Sequence, residues 1–261
     1  MAKVISITNQ KGGVGKTTTS INLSASLVKR GKRILLIDMD PQGNATVGCG
    51  IGVDEIDNTI YDVLLDDSSA AEAITTSDCG VDVMSANGEL AGAQVELLNE
   101  IGREMRLQKA LASVLENYDY IFIDCPPALN VLTINALVAS DSVLIPMQCE
   151  YFALEGLSAL ISTIRKIRET LNPKLSIEGL LRTMFDKRNS LSGEVSKQLE
   201  SHFGDQVYDT VVPRNVRLAE APSYGEPAIV YAPGSRGARS YLLLADEILK
   251  KANLVKPAKT A

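Results

Sequence analysis

Residues 10–18 read Gln10-Lys11-Gly12-Gly13-Val14-Gly15-Lys16-Thr17-Thr18, a glycine-rich stretch with two lysines. Residues 3–8 before it are short, β-branched and alternating, which predicts a strand. Residues 18–30 after it carry apolar side chains at a spacing that predicts a helix packed on a sheet. A glycine-rich turn between a strand and a helix is the context of a phosphate-binding loop.

The glycines and one lysine of this stretch supply the chemistry of such a loop. Glycine lets the backbone adopt conformations closed to other residues and approach a ligand closely. Successive N–H groups then form an anion cradle, and the start of the following helix adds favourable partial charge. Lys16 would reach the β- and γ-phosphates of a nucleotide, and the Thr17 hydroxyl would bind Mg²⁺. The alternative is a surface turn rich in glycine and lysine, which the flanking strand and helix disfavour.

The next strand is predicted to end in a pair of carboxylates. Residues 33–38 read as a buried parallel strand that runs into Asp38 and Asp40. Carboxylates at a strand end lie where open α/β sheets bind their ligands. The alternative is a capped turn in which Pro41 restricts Asp40.

A second acidic strand end follows about 80 residues later. Residues 119–124 contain four bulky side chains and close on Asp124, before a turn that begins Cys125-Pro126-Pro127. An acidic residue that ends a buried strand beside a phosphate loop holds Mg²⁺, usually through water. Residues 124–130 are therefore expected to change conformation with the γ-phosphate, as switch loops do. Cys125 is predicted to be a packed thiol and not a nucleophile.

The loop departs from the plain phosphate-loop pattern, because Gln10 replaces its first glycine and an extra lysine, Lys11, precedes Gly12. This variant resembles the deviant Walker A loop of the ParA/MinD family of ATPases. In that family the extra lysine crosses a dimer interface and contacts the phosphates bound by the partner subunit. The resemblance implies ATP and Mg²⁺ as cofactors and a homodimer that forms on ATP binding. The implied nucleotide-binding residues of the loop are Lys11, Gly12, Gly13, Val14, Gly15, Lys16, Thr17 and Thr18.

Residues 38–44, Asp38-Met39-Asp40-Pro41-Gln42-Gly43-Asn44, closely match the second motif of the same family. The resemblance implies that Asp40 orients or activates the attacking water, while Asp38 supports the Mg²⁺ shell. The implied catalytic residues are Lys11, Lys16 and Asp40. The implied metal-binding residues are Thr17, Asp38 and Asp124.

Residues 211–223 resemble a stretch of the chromosomal ParA proteins, the Soj group, that contacts the adenine base. The matching positions here are Pro213 and Asn215. An asparagine amide can donate to and accept from a base edge, which suits adenine. In the same group, arginines in the regions of Arg188 and Arg217 contact DNA, so these two are the implied DNA-binding residues.

The resemblance extends from residue 3 to about residue 251 and depends on four motifs in a fixed order. It implies an α/β fold of the P-loop NTPase class, with a mainly parallel twisted sheet and helices on both faces. We expect a single ATPase domain over residues 1–255 and a frayed C-terminal tail over 256–261. Residues 45–117 are expected to contribute packing and no chemistry, with a flexible glycine stretch at Gly48, Gly50 and Gly52. Further helices are predicted over 59–64, 105–115, 131–139, 153–171, 194–203 and 241–251, and further strands over 81–84, 142–146 and 177–184.

Composition limits the possible partners. The 261 residues carry a net charge of −6, so DNA binding must come from a local basic patch. The helix over 153–171 has a basic face, which reads as a solvated surface, with a nucleic-acid contact as the alternative. No apolar run approaches the roughly 20 residues of a membrane span, and an early strand leaves no room for a signal peptide. Cys49, Cys79, Cys125 and Cys149 are scattered, which predicts free thiols in a reducing cytoplasm rather than metal or iron–sulfur ligands.

Two classes of function fit these motifs. The first is a cytoplasmic, nucleoid-associated ATPase that dimerises with ATP, binds duplex DNA non-specifically and drives chromosome or plasmid segregation. A ParB-like partner would stimulate its hydrolysis. The second is a MinD-like membrane-surface ATPase or a positioner of another cargo. A membrane helix would need a bulky apolar face, and residues 254–261 are too short and contain Pro257, so no stable membrane association is expected. A small-molecule kinase would leave Lys11 and residues 213–223 unexplained.

Overall fold

The computed structural model describes residues 1–53 and 56–255. Its strands are β1 (Lys3–Ile7), β2 (Ile34–Asp38), β3 (Ile74–Thr76), β4 (Asp82–Met84), β5 (Tyr120–Asp124), β6 (Ser142–Gln148), β7 (Ser176–Phe185) and β8 (Val207–Pro213). They form one eight-stranded sheet in the order β3-β4-β2-β5-β1-β6-β7-β8. Among the described residues, every strand pairing is parallel except that of β3 with β4. The prediction of an α/β fold with a mainly parallel sheet is confirmed.

Helices lie on both faces of the sheet. They are α1 (Lys16–Val28), α2 (Asn44–Gly48), α3 (Ile60–Leu64), α4 (Leu90–Glu96), α5 (Arg106–Leu111), α6 (Val131–Ala139), α7 (Ala153–Thr170), α8 (Ser190–Phe203), α9 (Val216–Glu220), α10 (Ala228–Tyr231) and α11 (Arg236–Val255). Side chains of α1 and α11 pack with one face of the sheet, and those of α3 to α6 pack with the other. Helices α7 and α8 cover β6 and β7. The central strands are buried on both faces, which explains why they read as continuous apolar runs.

The strand order places a crevice at the end of β1. Strand β1 lies between β5 and β6, so the chain leaves β1 towards one side of the sheet and later returns to its other side. At such a reversal the loops at the carboxyl ends of neighbouring strands diverge and leave room for a ligand. The loop of residues 8–15 occupies this position, between β1 and α1.

Two edge strands were not predicted from the sequence. Strand β3 has three residues, too few for an alternating pattern to stand out. Strand β8 ends on Pro213 and pairs irregularly with β7 at the edge of the sheet. Proline has no N–H to donate, but on an edge strand this removes no hydrogen bond from the centre of the sheet. Both strands depend on a neighbouring strand for their hydrogen bonds, so local sequence alone did not specify them.

Gly48 and Gly50 correct another prediction, because they are closely packed where we expected a flexible stretch. A Cβ on Gly48 would lie 2.4 Å from Cδ1 of Ile21, and one on Gly50 would lie 2.8 Å from the carbonyl oxygen of Gly225. Gly50 also has a φ of +81°, which disfavours any other residue. These glycines allow α2 to approach α1 and the turn that follows α9.

Several helix boundaries differ from the predicted ones for identifiable reasons. Helix α8 begins at Ser190 because the Asn189 side chain caps it by accepting the N–H of Leu191. Helix α3 is capped by Thr59 in a reciprocal arrangement with Asp62. Helix α5 is shorter than predicted, and α11 begins at Arg236. No helix in residues 1–53 or 56–255 is long and apolar enough to cross a membrane. The predicted tail, 256–261, lies outside the described residues.

Candidate functional site

The loop between β1 and α1 is held in place by side chains from several elements. The Asn9 side chain accepts the N–H of Lys11 at 3.0 Å. From β6, Gln148 donates to the Gly13 carbonyl at 3.0 Å, and from β7, Thr183 donates to the Val14 carbonyl at 2.7 Å. These contacts occupy carbonyl oxygens of the loop and fix its shape. Sequence analysis missed both Gln148 and Thr183, because nothing in their own strands distinguishes them.

The loop has the properties of an anion cradle. Gly13 and Gly15 have positive φ angles of 70° and 86°, and Gly15 immediately precedes α1. A Cβ on Gly12 or Gly13 would meet no atom within 4 Å, so the space beside the loop is open. Within the described part of the chain, the N–H groups of residues 12–15 have no hydrogen-bond acceptor. Several unpaired N–H groups together at a helix start favour a bound phosphate.

Lys16 is the first residue of α1, and its side chain is buried at this cradle. The residue is only 7% exposed, and its ammonium donates to the Lys11 carbonyl at a long 3.4 Å. Burial lowers the pKa of Lys16, whereas the nearby charges of Asp124 and Asp40 act in the opposite direction. A desolvated ammonium beside free N–H groups is poised for an anionic ligand.

Asp38 and Asp124 meet across neighbouring strands. They are register partners at the ends of β2 and β5, and both are fully buried. Burial raises the pKa of Asp124, with repulsion from Asp38 adding to the effect. Burial also raises the pKa of Asp38, and hydrogen bonds from Thr46 and from the Asp40 N–H only partly offset it. Two buried carboxylates side by side favour a neutralising cation.

The oxygen-bearing side chains at this edge of the sheet differ in how they could bind Mg²⁺. Thr17 donates to one oxygen of Asp124 at 2.7 Å and Ser20 donates to the other at 2.8 Å, so hydroxyls and a carboxylate already adjoin beside the cradle. Mg²⁺ is commonly bound by one or two carboxylates together with substrate phosphates, which matches this set. Asp38 accepts the Thr46 hydroxyl and N–H at 2.9 Å on one oxygen and the Asp40 N–H at 3.1 Å on the other, and its donors come from the β2–α2 segment, whereas Asp124 is bonded by Thr17 at the start of α1. Thr17 and Asp124 therefore suit direct or water-mediated binding, and Asp38 suits an outer supporting position.

Asp40 makes the contacts of a capped turn and lies beside the buried carboxylates at the cradle. One carboxylate oxygen accepts the N–H of Gln42 at 3.1 Å, as in a capped turn. Its own N–H donates to Asp38, which fixes the turn against the buried pair. No protein donor in the described residues meets its other oxygen, and its charge acts on Lys16. Asp40 thus keeps one carboxylate oxygen available at the cradle.

Pro213 and Asn215 are brought to the same site by β8. They line a cavity of about 190 Å³ that also contacts Gly15 and Thr18. The Asn215 side-chain oxygen accepts the N–H of Arg217 and caps α9, so its amide nitrogen is left to donate. The cavity adjoins the phosphate loop, as a nucleoside pocket must.

Lys11 differs from Lys16 in its surroundings. Its side chain is 43% exposed, and its ammonium pairs with Glu150, which follows β6. The two lysine side chains have different partners. The Lys11 ammonium contacts Glu150, whereas the Lys16 ammonium contacts the Lys11 carbonyl.

The two predicted DNA-binding arginines lie in different settings. Arg188 lines a large cavity of about 670 Å³ and pairs with Asp186 at 2.8 Å. Arg217, on α9, does not line that cavity and pairs with Glu220 at 2.7 Å. The cavity, which we call the basic groove, contains the five basic residues Lys187, Arg188, Arg214, Arg236 and Arg239. Sequence analysis singled out only one of them.

The predictions for the four cysteines and for residues 45–117 can be compared with the contacts in the structure. Cys125 is buried, and burial raises its pKa, so it is the packed thiol we expected. The other three cysteines are also free thiols. The region expected to provide packing alone contributes contacts as well: Thr46 bonds Asp38, and Gln94 accepts the side-chain amide of Asn130 at 2.8 Å. Asn130 closes the predicted switch segment and caps α6.

A glycine-rich cradle with a buried lysine, followed by acidic ends on neighbouring parallel strands, defines a P-loop nucleotide-binding protein. A family model described as an AAA domain matches residues 2–177. The chain is 57% identical over 249 residues to the sporulation initiation inhibitor protein Soj of Bacillus subtilis, covering 95% of this chain and 98% of Soj. It is 50% identical over 252 residues to the chromosome partitioning protein ParA of Caulobacter vibrioides, covering 95% and 94%.

Solved structures agree with this assignment. Cobyrinic acid a,c-diamide synthase from Mycobacterium smegmatis, with a bound ATP analogue and magnesium, has a TM-score of 0.86 and 35% identity over 98% of both chains. The cell division ATPase MinD of Pyrococcus furiosus has a TM-score of 0.79 and 28% identity, covering 96% of this chain and all of MinD. The chain belongs to the ParA/Soj family of partitioning ATPases.

Proposed function

We propose that this chain is a Mg²⁺-dependent ATPase whose single domain, residues 1–255, dimerises on binding ATP. As a dimer it binds duplex DNA without sequence preference and serves chromosome or plasmid segregation. The observation that carries the proposal is the pair of lysines in one loop: Lys16 is buried at the cradle, and Lys11 is exposed outside it. The names of the Soj and ParA relatives and the nucleotides bound in related structures support it.

Each predicted site residue has a part in this proposal. Mg²⁺ held by Thr17 and Asp124 would supply the positive charge that offsets charge developing during phosphoryl transfer. The N–H groups of the loop and Lys16 hold the phosphates, and Thr17 and Asp124 hold the metal with support from Asp38. Asp40 uses its available oxygen to orient or activate the attacking water. Pro213 and Asn215 hold the adenine.

Dimerisation follows from the position of Lys11. An exposed ion pair such as Lys11–Glu150 contributes at most about 1 kcal/mol, so Lys11 can exchange it for a stronger contact. The phosphates of a partner's nucleotide offer more charge at a site from which water is excluded. Lys11 therefore joins the two subunits only when nucleotide is present, which makes the dimer dependent on ATP.

DNA binding and stimulated hydrolysis complete the cycle. Arg188 and Arg217 are the proposed DNA contacts, and both are exposed. A ParB-like DNA-binding partner accelerates hydrolysis, after which the dimer separates and leaves the DNA. The protein is then cytoplasmic and associated with the nucleoid.

An electrophoretic shift series beside liposome flotation tests this function. With a slowly hydrolysed ATP analogue, the protein should shift duplexes of unrelated sequence, and with ADP it should shift them weakly. Binding should weaken steeply with salt, because each neutralised phosphate releases counterions. Flotation with vesicles and no analogue-dependent DNA shift would instead identify a MinD-like membrane ATPase.

A further inference from the structure

Negative charge is concentrated in one part of the chain. Residues 34–102 contain fourteen aspartates and glutamates and no lysine or arginine, in a protein whose net charge is only −6. The rest of the chain therefore carries an excess of positive charge. Helices α3 and α4 belong to this acidic stretch, and their side chains pack into the same apolar cluster on one face of the sheet. A surface with charge of one sign attracts a partner of the opposite sign.

Helix α4 and the turns that follow it expose large apolar side chains within this acidic stretch. The inner face of α4 is already packed in the core. Four further apolar residues, spaced three or four positions apart, are between 40% and 96% exposed: Val95, Leu98, Ile101 and Met105. We call these four residues the α4 patch. Neighbouring exposed apolar side chains of this size mark an interaction surface.

Acidic side chains border the α4 patch. Glu96 and Glu100 lie between its members in sequence, and both are exposed. Arg106 pairs with Glu100 at 2.8 Å and also with Asp66, which follows α3, so one cation is shared by two carboxylates. Within residues 1–53 and 56–255, Glu96 pairs with no cation and accepts the Tyr61 hydroxyl at 3.0 Å. An apolar patch with an acidic border fits a helix that has one apolar face and basic flanks.

We infer that the α4 patch is a docking surface for a basic amphipathic helix of a partner protein. The acidic border disfavours the other occupants. It would repel the phosphates of DNA and of an anionic lipid surface. A second copy of this chain, placed symmetrically on the patch, would bring two acidic borders together. Docking at this surface goes beyond the proposed function and does not depend on it.

The α4 patch is connected to the candidate nucleotide site. Gln94, within α4, accepts the side-chain amide of Asn130 at 2.8 Å. Asn130 caps α6 and closes the predicted switch segment, which begins at Asp124. Leu129, beside Asn130, is exposed. A helix docked on the patch therefore reaches the switch segment through one hydrogen bond, and its effect on ATP hydrolysis rests on the proposed function.

Fluorescence anisotropy with a labelled synthetic helix tests the surface. The probe has leucine along one face and lysine along the other, and a comparison peptide has glutamate in place of lysine. The lysine peptide should bind at least about tenfold more tightly than the glutamate peptide, and salt should weaken its binding.

Two changes on the surface should weaken binding of the lysine peptide. Leu98→Ser with Ile101→Ser removes exposed apolar area and should cost at least about tenfold in affinity. Glu96→Lys reverses one charge of the border and should also weaken binding. The matched control is Leu171→Ser with Val230→Ser, which removes two exposed apolar side chains outside the patch and should leave affinity unchanged.

Phosphate release gives a second readout. The lysine peptide should change the rate of ATP hydrolysis by at least about fivefold, and Gln94→Ala should keep peptide binding but lose this response. A response that persists in Gln94→Ala would overturn the connection to the switch segment.

The remaining outcomes separate the docking surface from the proposed function. If the wild-type protein hydrolyses no ATP but binds the lysine peptide at the α4 patch, only the proposed function fails. Equal affinity for the two peptides, or an affinity that neither surface change reduces, would overturn the docking surface. Self-association, or flotation on phosphatidylglycerol vesicles, that Leu98→Ser with Ile101→Ser abolishes would instead assign the patch to a second copy or to a membrane.

Discussion

Two lysines five positions apart occupy opposite environments in one loop, and these surroundings support the different roles proposed for them. Lys16 is buried at the start of α1, where burial lowers its pKa. Lys11 is exposed and paired with Glu150. The same residue type can therefore neutralise phosphate within one subunit or remain available for another, and burial separates the two cases.

Substitution of each lysine should separate binding from dimerisation. Lys16→Ala should abolish nucleotide binding because it removes the charge at the β- and γ-phosphates. Lys11→Ala should leave binding by the monomer largely intact but prevent the ATP dimer. Sizing chromatography and titration with a fluorescent ATP analogue measure both properties. A Lys11→Ala protein that dimerises and hydrolyses ATP normally would show that Lys11 does not act across subunits.

Asp40→Ala should bind ATP and accumulate as the dimer. Its available oxygen is needed to orient water more than to hold the nucleotide, so hydrolysis should fall by about 100-fold or more. Phosphate release and sizing chromatography measure the two effects. Loss of ATP binding in this variant would instead make Asp40 a metal-binding or structural residue.

The buried pair Asp38 and Asp124 should make the nucleotide-free protein less stable as the pH rises. Folding raises both pKa values, so above about pH 4 the folded state holds protons that the unfolded chain has already lost. The free energy of unfolding therefore falls from about pH 4 towards neutrality. Urea unfolding at pH 5 and pH 8 measures this slope, which Asp124→Asn should reduce. An increase in stability across this range would contradict the assignment.

At the scale of elements, the loop depends on strands that follow it by more than 130 residues. Gln148 on β6 and Thr183 on β7 fix its carbonyl groups, and Asp38 and Asp124 meet only because β2 and β5 are neighbours. Close packing of α2 against α1 holds Thr46 on Asp38. The site is thus a property of the sheet order as much as of the loop.

Two glycine substitutions test this packing. Gly50→Ala should destabilise the protein by about 1–3 kcal/mol, because a Cβ would meet the Gly225 carbonyl at 2.8 Å and φ is positive. Gly156→Ala, within α7 and free of any atom within 4 Å, should instead stabilise by up to about 1 kcal/mol. Urea unfolding midpoints compare them. Equal midpoints would mean that residues 48–52 are flexible after all.

Considering the whole molecule, the proposed nucleoside pocket and the basic groove share one wall formed by Pro213 and Arg214. Two sites that share a wall can influence each other without a large rearrangement. The dependence of DNA binding on ATP would then arise from this contact as well as from dimerisation, which joins the DNA contacts of two subunits and raises their effective concentration.

Coupling between ATP binding and DNA binding must be reciprocal. If ATP tightens DNA binding, saturating duplex should lower the dissociation constant of the ATP analogue by the same factor, at least about fivefold. Titration of a fluorescent analogue with and without duplex measures this change. Arg188→Glu, which removes a proposed DNA contact, should remove the effect of DNA on nucleotide affinity. An analogue affinity that is indifferent to duplex in the wild-type protein would refute the coupling.

Sequence by itself determined the features that depend on neighbouring residues. Strand, glycine loop and helix at residues 3–30 were recognisable, as were the acidic ends of β2 and β5 and the packed Cys125, because spacing and local chemistry specify them. Their order along the chain was enough to indicate the family.

Which distant residues meet could be seen only in the folded chain. The fold brought Asp38 beside Asp124, placed Gln148 and Thr183 on the loop, and gathered Arg214, Arg236 and Arg239 into one groove. It also formed β3 and β8, whose hydrogen bonds belong to neighbouring strands. These contacts join segments separated by tens to more than a hundred residues, so no local pattern encodes them, and the order of strands in the sheet fixes them.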